Sequence, residues 1–143
     1  MARALFASII ATAVVSALVY ANMRLSLLPA FDLLDDIADF NTRIGLPSTT
    51  QARWVTHGLT GIFLLGLLYA IIRPILPGHG ATRGMWYGAF VWLTMMIAFM
   101  PLTDHGIFGH DLGPGFAAIM LMLNLIYGGV LGMTYSSLGE NSD

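Results

Sequence analysis

The chain has 143 residues, of which 57% are hydrophobic and only 10% are charged. Soluble domains carry about 25% charged residues, so this composition excludes a typical water-soluble domain. The formal net charge of −2 does not suggest a nucleic-acid partner, and the absence of cysteine excludes disulfides, thiolate metal sites and thioether-linked haem.

Four long apolar segments follow one another along the chain, at residues 4–21, 54–72, 85–102 and 115–134. Each is close to the ~20 residues that cross a hydrocarbon core, and none carries a charged side chain between its ends. Backbone groups in lipid must bond to one another, so each segment is predicted to be a helix. We therefore predict an all-α, four-helix integral membrane bundle that forms a single domain over residues 1–143 and has the lipid bilayer as its surroundings.

The first segment carries a stripe of small residues at four-residue spacing, and the loop after it contains a shorter amphipathic pattern. The stripe consists of Ala4, Ser8, Thr12 and Ser16, and it allows another helix to pack closely. In the loop, apolar residues recur every three or four positions over residues 31–44, and Asp32, Asp35, Asp36 and Asp39 share the opposite face. This pattern predicts a short interfacial helix with a solvated acidic face.

The third and fourth segments contain glycine pairs at the spacing that favours helix packing in membranes. Gly84 and Gly88 lie near the start of the third segment, and Gly128 and Gly132 lie near the end of the fourth. Asn124 is a strongly polar side chain at bilayer depth, where such groups bond across helices. We predict that these five residues form helix-packing contacts.

The loop between the third and fourth segments reads Asp104-His105-Gly106-Ile107-Phe108-Gly109-His110-Asp111. With four spans this loop shares a membrane face with His57, and imidazole with carboxylate suits copper, zinc or iron. We therefore predict a candidate metal site made of His57, His105 and His110 with Asp104 and Asp111. A haem between His57 and His105 is an alternative use of the same side chains.

Arginines on the two sides of the predicted bundle are tied at three each. The loop between the second and third segments holds Arg73 and Arg83, whereas the next loop has no base. Short loops near span ends carry most of the orientation signal, so we predict that both termini lie in the cytoplasm of a bacterial inner membrane. The candidate metal site would then face the periplasm.

A longer pattern links the third segment, the loop and the fourth segment. Its residues are Trp92, Leu93, Thr94, Met95, Met96, Phe99, Met100, Pro101, Gly106, Phe108, Gly109 and Gly113, followed by Asn124, Tyr127, Gly128 and Gly132. It resembles a family of small bacterial four-helix inner-membrane proteins catalogued as a domain of unknown function, over the second to fourth segments. The resemblance implies the fold and supplies no activity. A histidine is common in that family where this chain has Asn124, so the resemblance does not imply a metal ligand at that depth.

Three functions remain open from the sequence. The first is an accessory subunit of a larger bacterial respiratory or redox membrane complex, without catalytic activity of its own, which packs against other membrane subunits or associates with itself. The second is a metal-binding or haem-binding protein that uses the periplasmic histidines and aspartates. The third is a homo-oligomeric channel with a polar lining from Ser8, Thr12, Ser16 or Asn124.

Overall fold

The computed structural model describes residues 1–25, 33–113 and 115–139, and this part of the chain is all-helical. The helices are α1 (Ala2–Leu25), α2 (Leu33–Arg43), α3 (Thr50–Ile75), α4 (Gly80–Leu102) and α5 (Phe116–Ser137). Of these, α1, α3, α4 and α5 are each long and apolar enough to cross a membrane, in agreement with the four apolar segments of the sequence. The structure thus confirms the all-α prediction.

Helices α4 and α5 touch through their backbones. A Cβ atom added to Gly84 would lie 1.9 Å from the carbonyl oxygen of Gly128, and one added to Gly88 would lie 2.1 Å from that of Asn124. At Gly132 the added atom would lie 2.3 Å from the carbonyl oxygen of Gly80. The four predicted packing glycines therefore all lie at this contact, where any side chain would separate the helices.

The side chain of Asn124 bonds within its own helix and also across to α4, as the sequence suggested. Its Nδ2 donates to the carbonyl oxygen of Met120 in its own helix, at 2.8 Å, and lies 3.8 Å from Met95 Sδ on α4. A carbonyl one turn back along the same helix is within easy reach of a short amide side chain. Asn124 thus contributes to the α4–α5 contact through its backbone carbonyl group, which faces Gly88, and through its side chain, which faces Met95.

The small-residue stripe of α1 faces the bundle, where it meets α3 and α5. Ser8 is fully buried and Thr12 is 5% exposed. On the facing side of α3, a Cβ on Gly66 would lie 2.4 Å from Ser8 Oγ, and one on Gly61 would lie 2.5 Å from Thr12 Oγ1. Small residues on both helices therefore allow α1 to approach α3 closely.

Helix α2 packs against the end of the bundle formed by the start of α3 and the chain that follows α4. Leu34, Ile37 and Ala38 of its apolar face are buried. The ring of Phe40 lies 5.6 Å from the ring of Phe99 near the end of α4. The amphipathic pattern therefore folds onto the bundle itself, and Asp32, at the start of the predicted pattern, lies outside the described residues.

Two of the long helices contain a π turn, which the apolar patterns did not predict. In α3 the turn spans Thr60–Leu64, and the N–H of Leu65 donates to the carbonyl oxygen of Thr60, five residues earlier. In α4 it spans Met95–Phe99, with the corresponding bond from Met100 to Met95. A π turn holds one residue more than the α turn it replaces, so each one offsets the two halves of its helix.

Candidate functional site

The most buried charged contact at the α2 end joins Asp36 to His105. The Asp36 residue is 6% exposed, and its Oδ1 lies 2.9 Å from Nε2 of His105, whose side chain is 25% exposed. The second carboxylate oxygen, Oδ2, is buried and has no hydrogen-bond partner among the residues that the structure describes. Burial raises the pKa of Asp36, His105 opposes that rise, and the neighbouring charges of Asp39 and Asp35 reinforce it. The predicted acidic face is thus divided, because Asp36 points into the protein while Asp35 and Asp39 are exposed.

Two further ion pairs and an amide fasten α2 to its neighbours. Arg43 at the end of α2 pairs with Asp104 in the loop after α4, and Arg53 on α3 lies 2.5 Å from Asp35. Both pairs are partly exposed, so each contributes only about 0–1 kcal/mol. The fully buried Asn41 accepts a hydrogen bond from Thr56 Oγ1 at 3.0 Å, which ties α2 to α3. The charge pattern did not reveal Asn41.

The remaining predicted ligands lie in separate surroundings. Nε2 of His57 is 3.1 Å from Ser16 Oγ on α1, and its ring meets the edge of Trp54 at 5.8 Å. His110 contacts Asp111 at 3.5 Å, and these two side chains are 90% and 66% exposed.

The predicted metal ligands therefore form distinct pairs. His105 faces Asp36, Asp104 faces Arg43, His57 faces Ser16, and His110 faces Asp111. Within residues 1–25, 33–113 and 115–139, no group of three or more His, Asp or Glu side chains is arranged to hold a metal ion. Metal or haem binding by these residues stays a prediction of the sequence.

The loop around this site depends on unusual backbone angles. Asp104 and Phe108 both have positive φ angles, 65° and 61°, which are uncommon for residues with a side chain. The ring of Phe108 packs 5.7 Å from that of Trp92, whose Nε1 donates to the carbonyl oxygen of Ala117 at 2.9 Å. These contacts hold the segment Ile107–Leu112 against α4 and α5.

We expect the Asp36→Asn variant to lose part of the pH dependence of unfolding. Because the folded chain holds the Asp36 proton more tightly than the unfolded chain, it binds more protons between pH 3.8 and the raised pKa. Asp36 therefore makes its largest contribution to the free energy of unfolding below pH 3.8, and this contribution falls as the pH rises through the raised pKa. Unfolding midpoints measured by circular dichroism in detergent from pH 3 to 8 should show a flatter profile in the variant.

The matched control for this measurement is Asp35→Asn, which removes an exposed carboxylate from the same helix. Its pH profile should keep most of the slope of the parent, because burial, the main cause of the raised pKa of Asp36, is unchanged and only the smaller contribution from the charge of Asp35 is lost. Identical profiles for the parent and Asp36→Asn would show that burial of Asp36 does not govern the titration.

A second polar centre, which the search for metal ligands missed, lies inside the bundle. Side-chain hydroxyl groups of Ser8, Tyr87 and Tyr127 reach backbone carbonyl groups of α3 at or next to its π turn. Each of these residues stands within an apolar segment, where a hydroxyl group needs an acceptor when it is buried. The signal in the sequence was therefore the presence of these hydroxyl groups within long apolar segments.

The chain belongs to a family of unknown function, DUF6789, whose model matches residues 1–143. This confirms the resemblance to a domain of unknown function, and the match extends over the first segment, beyond the second to fourth segments that carried the resemblance. No curated protein and no solved structure matches the chain.

Proposed function

We propose that the protein is a small integral membrane subunit that packs against other subunits of a larger complex. The observation that carries this proposal is an open apolar groove of about 500 Å³ along the outer face of α4 and α5. Its lining includes the small residues Ala81, Ala118 and Gly129 and the exposed side chains of Met85 and Met133. Small residues let another backbone approach closely, and methionines adapt to the shape of a partner.

The dimensions of the groove fit a membrane helix of another polypeptide. Its lining on α5 runs from Ala118 to Met133, which corresponds to roughly 22 Å along a helix axis. That length is most of a ~30 Å hydrocarbon core. A transmembrane helix of a partner subunit is therefore the occupant that we propose.

The interior of the bundle favours a packing role over a homo-oligomeric channel. Of the four polar side chains considered for a pore, Ser8, Thr12 and Asn124 are buried within one copy of the chain, and Ser16 is half-buried and lies 3.1 Å from His57. Ser8 and Asn124 are bonded to backbone carbonyl groups. A pore between copies would therefore gain no polar lining from them.

We also propose that both termini lie in the cytoplasm of a bacterial inner membrane. The short loop between α3 and α4 is flanked by Arg73 and Arg83, whereas the loop between α4 and α5 holds no base. Short loops near the ends of spans carry most of the orientation signal, so this difference supports the orientation although the numbers of arginines on the two sides are equal.

The orientation predicts which cysteine variants an impermeant reagent can reach. The chain has no native cysteine, so His79→Cys and Ile107→Cys each introduce a single thiol. A membrane-impermeant maleimide should label Ile107→Cys in intact spheroplasts and should label His79→Cys only after lysis. The reverse pattern would place the termini outside.

The subunit proposal predicts that filling the groove releases the partner. We extract the Gly129→Leu variant gently from its own membranes and measure its complexes by native mass spectrometry. The amount of partner polypeptide bound to the variant should be lower than that bound to the parent by at least tenfold. Gly58→Leu is the matched control, because a Cβ at Gly58 on α3 meets nothing within 4 Å. This control should keep the partners of the parent.

Three outcomes would contradict the proposed partner helix. The first is a parent chain that is found alone at 15.5 kDa. The second is a parent chain with bound lipid and no other polypeptide, and the third is a parent chain found only in simple multiples of its own mass. The co-purified chains would also test whether the complex is a respiratory or redox complex.

A further inference from the structure

Hydroxyl groups from three different helices converge on the π turn of α3. Ser8 Oγ on α1 lies 2.8 Å from the carbonyl oxygen of Ile62 on α3 and also 2.8 Å from that of Leu5 in its own helix, so its single proton can bond to either. Tyr127 on α5 donates to the carbonyl oxygen of Gly61 at 2.6 Å. Tyr87 on α4 donates to the carbonyl oxygen of Leu65, directly after the turn, at 2.5 Å. Each of the other three long helices of the described chain therefore reaches α3 with a hydroxyl group within or directly after this turn.

These bonds add to the backbone hydrogen bonds of the π turn and of the residue after it. A carbonyl oxygen has two lone pairs, so it can accept a side-chain hydroxyl group as well as a backbone N–H group. Glycine at positions 61 and 66 allows Thr12 and Ser8 to come within contact distance of this part of α3. The geometry of the turn is thus maintained by the other helices and not by α3 alone.

The residues of a π turn can also adopt a second arrangement, in which their backbone hydrogen bonds are those of an α-helix. If the turn returned to α-helical bonding, one half of α3 would rotate by roughly 100° relative to the other, which is the rotation of one residue in an α-helix. Such a change needs no unfolding of either half. The two arrangements differ in whether Ser8, Tyr87 and Tyr127 can reach their carbonyl acceptors.

The two halves of α3 contact different parts of the protein. The half before the π turn carries Arg53, Thr56 and His57, which contact Asp35 and Asn41 of α2 and Ser16 of α1. The half after it carries Tyr69, which is 1% exposed and packs against the ring of Tyr87 at 5.1 Å. Rotation of the first half would therefore release α2, while the second half stayed in the core.

We propose that the π turn at Thr60–Leu64 is a two-position switch, which the hydroxyl groups of Ser8, Tyr87 and Tyr127 hold in the bulged position. Loss of these bonds frees the first half of α3 to rotate and to break its contacts with α2. The device couples the centre of the membrane bundle to the α2 end of the protein, and it operates whether or not a partner helix occupies the groove.

Spin labels on the two halves of α3 measure this rotation directly. Val55 and Ile71 are exposed at 58% and 64%, and the absence of native cysteine allows Val55→Cys and Ile71→Cys to be labelled cleanly. A pulsed dipolar measurement on the parent in detergent should give one distance. When Ser8→Ala and Tyr127→Phe are added, a second distance should appear, because a 100° rotation moves the Val55 label by roughly 8 Å around the helix axis and so changes its distance from the Ile71 label by a few Å.

Deletion of Phe63 provides a second test, because it removes the extra residue of the π turn. The deletion should leave a continuous α-helix with both halves facing as they do now, and so should return the spectrum of the hydroxyl-deficient variant to one distance. Thr94→Ala, which removes a hydroxyl group bonded to Phe90 within α4, should leave one distance and serves as the control.

Two results would overturn the proposal. One is an unchanged single distance in the variant that lacks the Ser8 and Tyr127 hydroxyl groups. The other is a second distance that persists in the hydroxyl-deficient variant after deletion of Phe63, since the rotation would then not arise from the extra residue of the π turn.

Discussion

Replacing Gly128 by alanine is expected to destabilise the folded bundle by about 3 kcal/mol, the upper part of the usual range for overpacking. The added Cβ atom would lie 2.0 Å from the carbonyl oxygen of Gly84 and 2.8 Å from the amide nitrogen of Gly88. Both neighbours are backbone atoms, so α4 as a whole must move away from α5. That movement would also weaken the close contact at Gly132.

The adjacent Gly129 provides the matched control on the same helix. A Cβ there meets only Met85 Cγ within 4 Å, at an ordinary contact distance of 3.5 Å. Gly129→Ala should therefore be neutral or stabilise the fold by up to about 1 kcal/mol, because alanine favours a helix more than glycine. Denaturant titration of both variants in the same detergent measures the difference, and equal stabilities would contradict the backbone contact between α4 and α5.

Replacing Gly109 by alanine is the second change with a large expected effect, and we expect it to cost about 2–4 kcal/mol from strain and overpacking together. Gly109 has a φ angle of 62°, which disfavours a residue with a side chain. An added Cβ would also lie 2.5 Å from the ring of Phe116 at the start of α5. The loop that carries Asp104 and His105 would have to move away from the bundle.

A control at Gly45 separates these two causes. Its φ angle is 77° and a Cβ there meets nothing within 4 Å, so Gly45→Ala introduces backbone strain without a clash. Its cost should be about 1–2 kcal/mol, the usual penalty for a left-handed residue with a side chain. Thermal unfolding of the two variants in parallel measures both losses of stability. If Gly109→Ala loses no more stability than Gly45→Ala, the Phe116 ring moves aside without a measurable energetic cost.

The helices and the residues at the α4–α5 contact followed from local features of the sequence. Apolar runs of about 20 residues predict membrane helices whatever their neighbours are, because the length is set by the bilayer. The spacing of Gly84 with Gly88 and of Gly128 with Gly132 marks a flat helix face within each segment. The spacing does not determine which helix faces meet or that Gly80 takes part in the contact. Both depend on the angle and position at which α4 and α5 cross.

The contacts of the candidate site did not follow from the sequence in the same way. Asp36 and Asp39 are equivalent in the amphipathic pattern, but the position of His105, 69 residues later, decides which carboxylate is buried. The histidines and aspartates were assigned to one membrane face, and a shared face does not determine which side chains meet. The separate pairs of His57, His105 and His110 arise from the packing of α2 and the bent loop.

The sequence by itself therefore determined the helical class, the four apolar helices and the family, since these depend on composition and local spacing. The tertiary structure decided the burial of Asp36, the π turns and the hydroxyl contacts on α3. The physical reason is that hydrogen bonds between distant segments depend on distances of a few tenths of an ångström, which are set when the helices pack. Residue type indicates that a buried hydroxyl group needs an acceptor, and only the packed bundle determines which carbonyl group supplies it.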